Sequence, residues 1–170
     1  GGGLTAAIAP WQGFFTKTPV DNAALPFPYP GLVKPAVPVS DIDWRIGIQA
    51  SSGKLSDDYT YCGVSEQSST GYDDADVYEL VPLNQQFLSV YFEHPDWIEP
   101  GNFTQDIRPT DTLPMIWELT VATNSRVPNA SLTWDIPTSM PPELTVTLTE
   151  LISGVTLDMS AQKMYTWDLA

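Results

Sequence analysis

Proline and glycine punctuate this chain so densely that helices have almost nowhere to form. Sixteen prolines and eleven glycines fall across 170 residues. Few windows between them could hold three helical turns, because proline lacks the N–H that a helix interior needs and clashes with the preceding turn. The intervals hold instead short runs of β-branched and aromatic residues in period-two alternation. "WELTVAT" places Trp117, Leu119 and Val121 on one face and Glu118 and Thr120 on the other, and "SLTWDI" sets Leu132, Trp134 and Ile136 against Ser131, Thr133 and Asp135. "ELTVTLTEL" and "MYTWDL" repeat the pattern, as do "WRIGIQA" and "FLSVYF" upstream. Such alternation marks strands with one face on a core and the other in water. Ser153-Gly154 within "ISGVTL" supplies a hairpin turn. Seven or eight short strands with turns at this spacing predict an all-β, antiparallel β-sandwich over residues 41–170.

Residues 1–40 have a different character. "ALPFPYPGLVKPAVPVSD" is proline-rich from Pro26 to Pro38, which predicts an extended, polyproline-like arm and excludes a central strand. Before it, "IAPWQGFFTKT" contains a single candidate strand, Gly13 to Lys17, with Trp11, Phe14 and Phe15 as apolar anchors. An isolated apolar strand must fold back, pair with a neighbouring domain, or complete the sheet of another copy. Trp11, Phe14 and Phe15 are therefore the candidate assembly residues.

The formal net charge is −14, from 21 carboxylates against seven Lys and Arg. That field repels phosphate backbones and anionic headgroups, so nucleic acid and membrane surfaces are poor partners. Cations, neutral polysaccharide and other protein domains suit it better. A lone cysteine, Cys62, excludes an internal disulfide and a multi-cysteine zinc site; between aromatic and small residues it reads as a small buried hydrophobe. No stretch approaches the run of about 18 apolar residues that a membrane-spanning helix needs.

Catalytic motifs are sparse. The one histidine, His94 in "YFEHPDW", sits at a strand end where a lone imidazole caps or faces solvent. Nucleophile elbow, phosphate-binding loop, dinucleotide fingerprint and zinc-helix patterns are absent from the sequence. Paired carboxylates can run glycoside hydrolysis, but here they cluster in loops, and the reading is of a protein that is not an enzyme. "SSTGYDDADVYELVP" gathers Asp73, Asp74, Asp76 and Glu79 within seven residues. Oxygen-rich loops of this kind suit Ca²⁺, although the spacing is not that of a helix-loop-helix calcium site. The other reading is that Asp73 and Asp76 fix the loop through Asx-turns. Asn102 and Asn129 open two N-x-S/T sequons. Among the aromatics, Trp44, Trp117, Trp134 and Trp167 fall on apolar faces and belong to the core. Tyr72, Tyr78 and Trp97 lie in loops and are the candidates for a ligand platform.

The ordered set "APWQGFFTK", "WRIGIQAS", "YCGVSEQSSTGYDDADVYELVP", "LSVYFEHPDW", "TQDIRP", "WELTVATN", "LTWDIP" and "ELTVTLTELISGVTLDMSAQKMYTWDL" resembles a β-sandwich module. That module occurs near the C-terminal end of large secreted and cell-surface bacterial proteins associated with type IX secretion. The resemblance spans most of the chain from Trp11 to Leu169. It implies an exported, non-catalytic module that links, presents or anchors other domains, without catalytic residues to transfer. Such modules are usually embedded in longer chains and followed by a sorting domain, so this chain is expected to be either a fragment or a small stand-alone subunit. Taken together, the sequence predicts an extracellular β-sandwich of immunoglobulin or fibronectin-III-like character acting as a structural module. A carbohydrate-binding module and a filament subunit assembling by N-terminal strand exchange are the alternatives.

Overall fold

The computed structural model describes residues 42–80, 82, 85–110, 114–124 and 126–168. The candidate strand with Trp11, Phe14 and Phe15, and the proline-rich arm, lie outside them. The described residues form ten strands: β1 (Trp44–Ser52), β2 (Leu55–Val64), β3 (Val77–Tyr78), β4 (Leu88–His94), β5 (Gly101–Arg108), β6 (Leu119–Thr123), β7 (Asn129–Asp135), β8 (Thr147–Thr149), β9 (Thr156–Asp158) and β10 (Met164–Asp168). Eight build one sheet in the order β10-β7-β1-β2-β5-β4-β6, with β3 paired to β5, and β8 and β9 form a separate hairpin. The fold is all-β, with a curled, partly open sheet that makes a half-barrel of general β-sandwich character.

The alternation in the sequence sets the curl's inner face. Trp44, Ile46, Ile48 and Ala50 of β1 pack with Cys62 and Val64 of β2, Leu88, Val90 and Phe92 of β4, and Leu132 and Trp134 of β7. Leu157 and Met159 close over them from β9 and the turn that follows it. Full burial of side chains such as Val90 or Phe92 is worth about 1.5–3 kcal/mol each. The Trp134 indole N–H satisfies itself within this core by donating to the Met159 carbonyl at 2.8 Å.

One pairing departs from the antiparallel expectation. β5 runs antiparallel to β4 through Gly101–Phe103, then parallel to β2 from Gln105 to Arg108, opposite Tyr61 to Val64. A parallel neighbour cannot be reached by a tight turn, so the chain must cross over between β2 and β5. That crossover, residues 65–100, carries the acidic stretch, β3 and β4, and it positions the site described next.

Candidate functional site

Backbone that crosses a sheet must find partners for its N–H and C=O groups, and the acidic loop supplies them from its own carboxylates. Asp73 accepts from the N–H of Ser69 at 2.6 Å through one oxygen and of Ala75 at 2.8 Å through the other. Asp76 accepts from the Asp73 N–H through Oδ2 and, reaching out of the loop, from the Ile107 N–H of β5 through Oδ1, both at 2.9 Å. A second tie runs through Gln105, whose amide donates to the Ala75 carbonyl at 2.6 Å and accepts from Arg45 Nη1 at 2.8 Å. The Arg45 guanidinium lies 4.2 Å from the centre of the Tyr61 ring.

Asp76 is only 4% exposed. Burial pushes its carboxyl up to about 7, and the nearby charges of Asp73 and Asp106 push the same way, against the pull of its two N–H donors. Burial also raises Glu79, which accepts a hydrogen bond from the Ser89 hydroxyl at 2.8 Å. Asp74 is exposed. Of the four carboxylates that suggested calcium, Asp73 and Asp76 thus spend both oxygens on backbone N–H groups. Among the described residues no group of three or more His, Cys, Asp or Glu could hold a metal ion.

The three aromatics come together, with Tyr78 in strand β3 and not in a loop as the sequence suggested, because its backbone pairs with Phe103 of β5. Tyr72, Tyr78 and Trp97, all half-buried, gather on the wholly buried ring of Phe103 in β5, with centroids 5.7, 4.5 and 4.8 Å from it. Tyr78 stacks on Phe103 at 28° and lies over Gly101, where a Cβ would come within 2.8 Å of its ring. Its hydroxyl donates to Glu99 Oε2 at 3.0 Å. Burial first, then Glu99, pushes the phenol up to about 12. Trp97 stacks face to face on His94, 3.7 Å between centroids and 5° between planes.

Behind that stack lies a buried ion-pair network. His94 Nε2 is 2.9 Å from Asp106 Oδ2, and Arg108 clamps both oxygens of Asp106 through Nε at 3.1 Å and Nη2 at 2.9 Å. Asp106 is fully enclosed, and an enclosed carboxylate persists only when it is paired. Arg108 also donates from Nη1 to the Ile116 carbonyl at 2.7 Å, holding the segment before β6. His94 is therefore neither a cap nor a solvent-facing residue; it joins the aromatic cluster to the network. Neighbouring Cys62 is buried as expected, and its thiol is pushed up to about 12 by burial and by the charge of Asp106. A thiol so held is a poor nucleophile.

No family model, curated protein or solved structure matches the chain.

Reasoning from sequence selected Tyr72, Tyr78 and Trp97 but missed Phe103, Gln105, Asp106 and Arg108. The signal available for the last two was an Asp and an Arg two apart in "TQDIRP", which in a strand share a face. Asn102 and Asn129 are both exposed, in β5 and β7. The arrangement packs Tyr72, Tyr78 and Trp97 on Phe103, with the exposed carboxylate of Glu99 at the Tyr78 hydroxyl.

Proposed function

We propose that this chain is a non-catalytic extracellular module, of immunoglobulin or fibronectin-III-like character, that links, presents or anchors other domains. The observation that carries the reading is where its reactive side chains are spent. His94, Asp106 and Arg108 bind one another, and Asp73 and Asp76 bind backbone N–H groups. Of these, the Asp76–Ile107 and His94–Asp106 bonds tie the crossover to β5 and the rest hold the loop or the strand to itself, and such ties are what a linking or spacing domain needs. The resemblance to modules of secreted multidomain proteins supports the same reading, and so does an acidic surface that repels nucleic acid and anionic lipid.

The test is a turnover screen with chromogenic esters, glycosides and peptides on wild type and Asp106→Asn. The module reading predicts no turnover from either. Turnover by the wild type that disappears in a folded Asp106→Asn chain would overturn it.

A further inference from the structure

An open sheet ends in strands with an unused row of backbone N–H and C=O groups, and one end of this sheet is β10, whose only strand neighbour among the described residues is β7. Natural edges are commonly blunted by proline, lysine or a bulge. The strand "MYTWD" contains neither residue, and its register with β7 runs unbroken from Met164 to Asp168. Its two faces differ in kind. Tyr165 and Trp167 stack with centroids 5.9 Å apart and pack against the core, while Met164, Thr166 and Asp168 alternate with them on the outer face. There Met164 stands 54% exposed. Towards the other end of the same strand, Asn129, Thr166, Trp167 and Asp168 line an open groove of about 240 Å³.

We infer that β10 pairs antiparallel with β10 of a second copy, about a two-fold axis at Thr166, so that the sheet continues through a symmetric dimer. In that register Thr166 meets the partner's Thr166, Tyr165 meets the partner's Trp167, and Met164 meets the partner's Asp168 beside the groove. Directly opposed residues of an antiparallel pair share a face, so each core-side ring is matched to a ring and the exposed methionine to the groove. Symmetry makes each match twice, which is the self-complementarity a two-fold interface requires. Aromatic cross-strand pairs add to the stability, and a slip of one residue would set the rings against outer-face side chains. The net charge of −14 on each copy opposes their approach, so the pairing tightens as salt rises. It goes beyond the linking role and does not rest on it.

The experiment is sedimentation velocity on the full chain over a concentration series at physiological salt. A concentration-dependent shift from the mass of one chain to that of two is expected. Thr166→Lys sets like charges face to face at the axis, at an exposed position, and should leave a folded monomer. Thr166→Glu should do the same, and an equimolar mixture of the two variants should sediment as a dimer again. Thr166→Cys should give a covalent dimer on mild oxidation, since directly opposed Cα atoms lie about 4.5–5.5 Å apart, within disulfide reach, and the native Cys62 is buried. Ile152→Lys, at the exposed β8–β9 tip, should leave the dimer intact. A folded wild type that stays monomeric at every concentration overturns the pairing and leaves the linking role standing. A dimer that survives Thr166→Lys, or that Ile152→Lys abolishes, overturns it too and assigns association to another surface.

Discussion

Two loops of this protein use carboxylates to hold backbone N–H groups, and they do so to opposite ends. At the β8–β9 tip, Glu150 accepts from the N–H of Ile152 at 2.8 Å and of Ser153 at 2.6 Å. Gly154 turns the chain at φ +73°. Every one of these bonds is local, so the tip is tied only to itself and leaves Leu151 83% and Ile152 98% exposed. In the crossover, Asp76 sends one oxygen 31 residues along the sequence to Ile107 of β5. That long-range bond, together with the Gln105 amide on the Ala75 carbonyl and the pairing of β3 with β5, makes the acidic loop part of the body, and Tyr72 and Tyr78 are carried with it. The same chemistry thus yields a self-contained turn in one place and a bolt in the other, and the difference lies in how far the second oxygen reaches.

The sharpest way to break this comparison is to remove the bolt. Asp76→Ala leaves the N–H groups of Asp73 and Ile107 without their acceptor, a loss of about 1–3 kcal/mol for each buried group, read as a lowered midpoint in urea unfolding. Gly101→Ala attacks the same region from below: a methyl 2.8 Å from the Tyr78 ring must displace it. The expected cost is about 1–3 kcal/mol, with moved Tyr78 signals by NMR.

Proton linkage sharpens the contrast further. Folding raises the Asp76 carboxyl from 3.8 to about 7, so between those values the folded chain holds a proton that the unfolded chain has lost. Its contribution is complete below pH about 4 and is lost as pH climbs through about 7. Wild type should therefore lose more melting temperature than Asp76→Asn between pH 5 and pH 8. Equal slopes for the two proteins would remove Asp76 from the account. For Glu150 the local hydrogen bonds lower the carboxyl instead, and the linkage sign reverses: its contribution is lost as pH falls.

Glu150→Ala should loosen only the hairpin, with a smaller drop in melting temperature than either crossover variant. Smallest of all is the effect of calcium. Because Asp73 and Asp76 already serve N–H groups, millimolar Ca²⁺ or EDTA should leave the melting temperature where it is. A rise with Ca²⁺ would mean that a cation competes successfully for those oxygens.

The contrast also explains what could be seen in the sequence. β1, β4, β7 and β10 were legible because their inward positions are plainly apolar. β2 and β5 were not: the inner positions of "LSDDYTYCGV" include Thr60, and "GNFTQDIR" buries Gln105 and Asp106. Buried polar residues break the alternation, and what satisfies them, the Val90 carbonyl for Thr60 and the side chains of His94 and Arg108 for Asp106, is distant in sequence. "ELTVTLTEL" erred the other way. It alternates over nine residues but is strand only at Thr147–Thr149, because Leu144 N–H is taken by the turn carbonyl of Pro141. Local hydrogen bonds such as those of Glu150 follow from spacing. The Asp76 bond to Ile107 does not, since nothing in spacing announces a parallel crossover.

Amide hydrogen exchange tests the central claim most directly. If Asp76 bolts the crossover to the sheet, the Ile107 amide exchanges as slowly as the core amide of Val90, and Ile152 and Ser153 at the free tip exchange far faster. Asp76→Ala should speed Ile107 without altering the tip. An Ile107 amide that already exchanges as fast as Ile152 in the wild type would contradict the account.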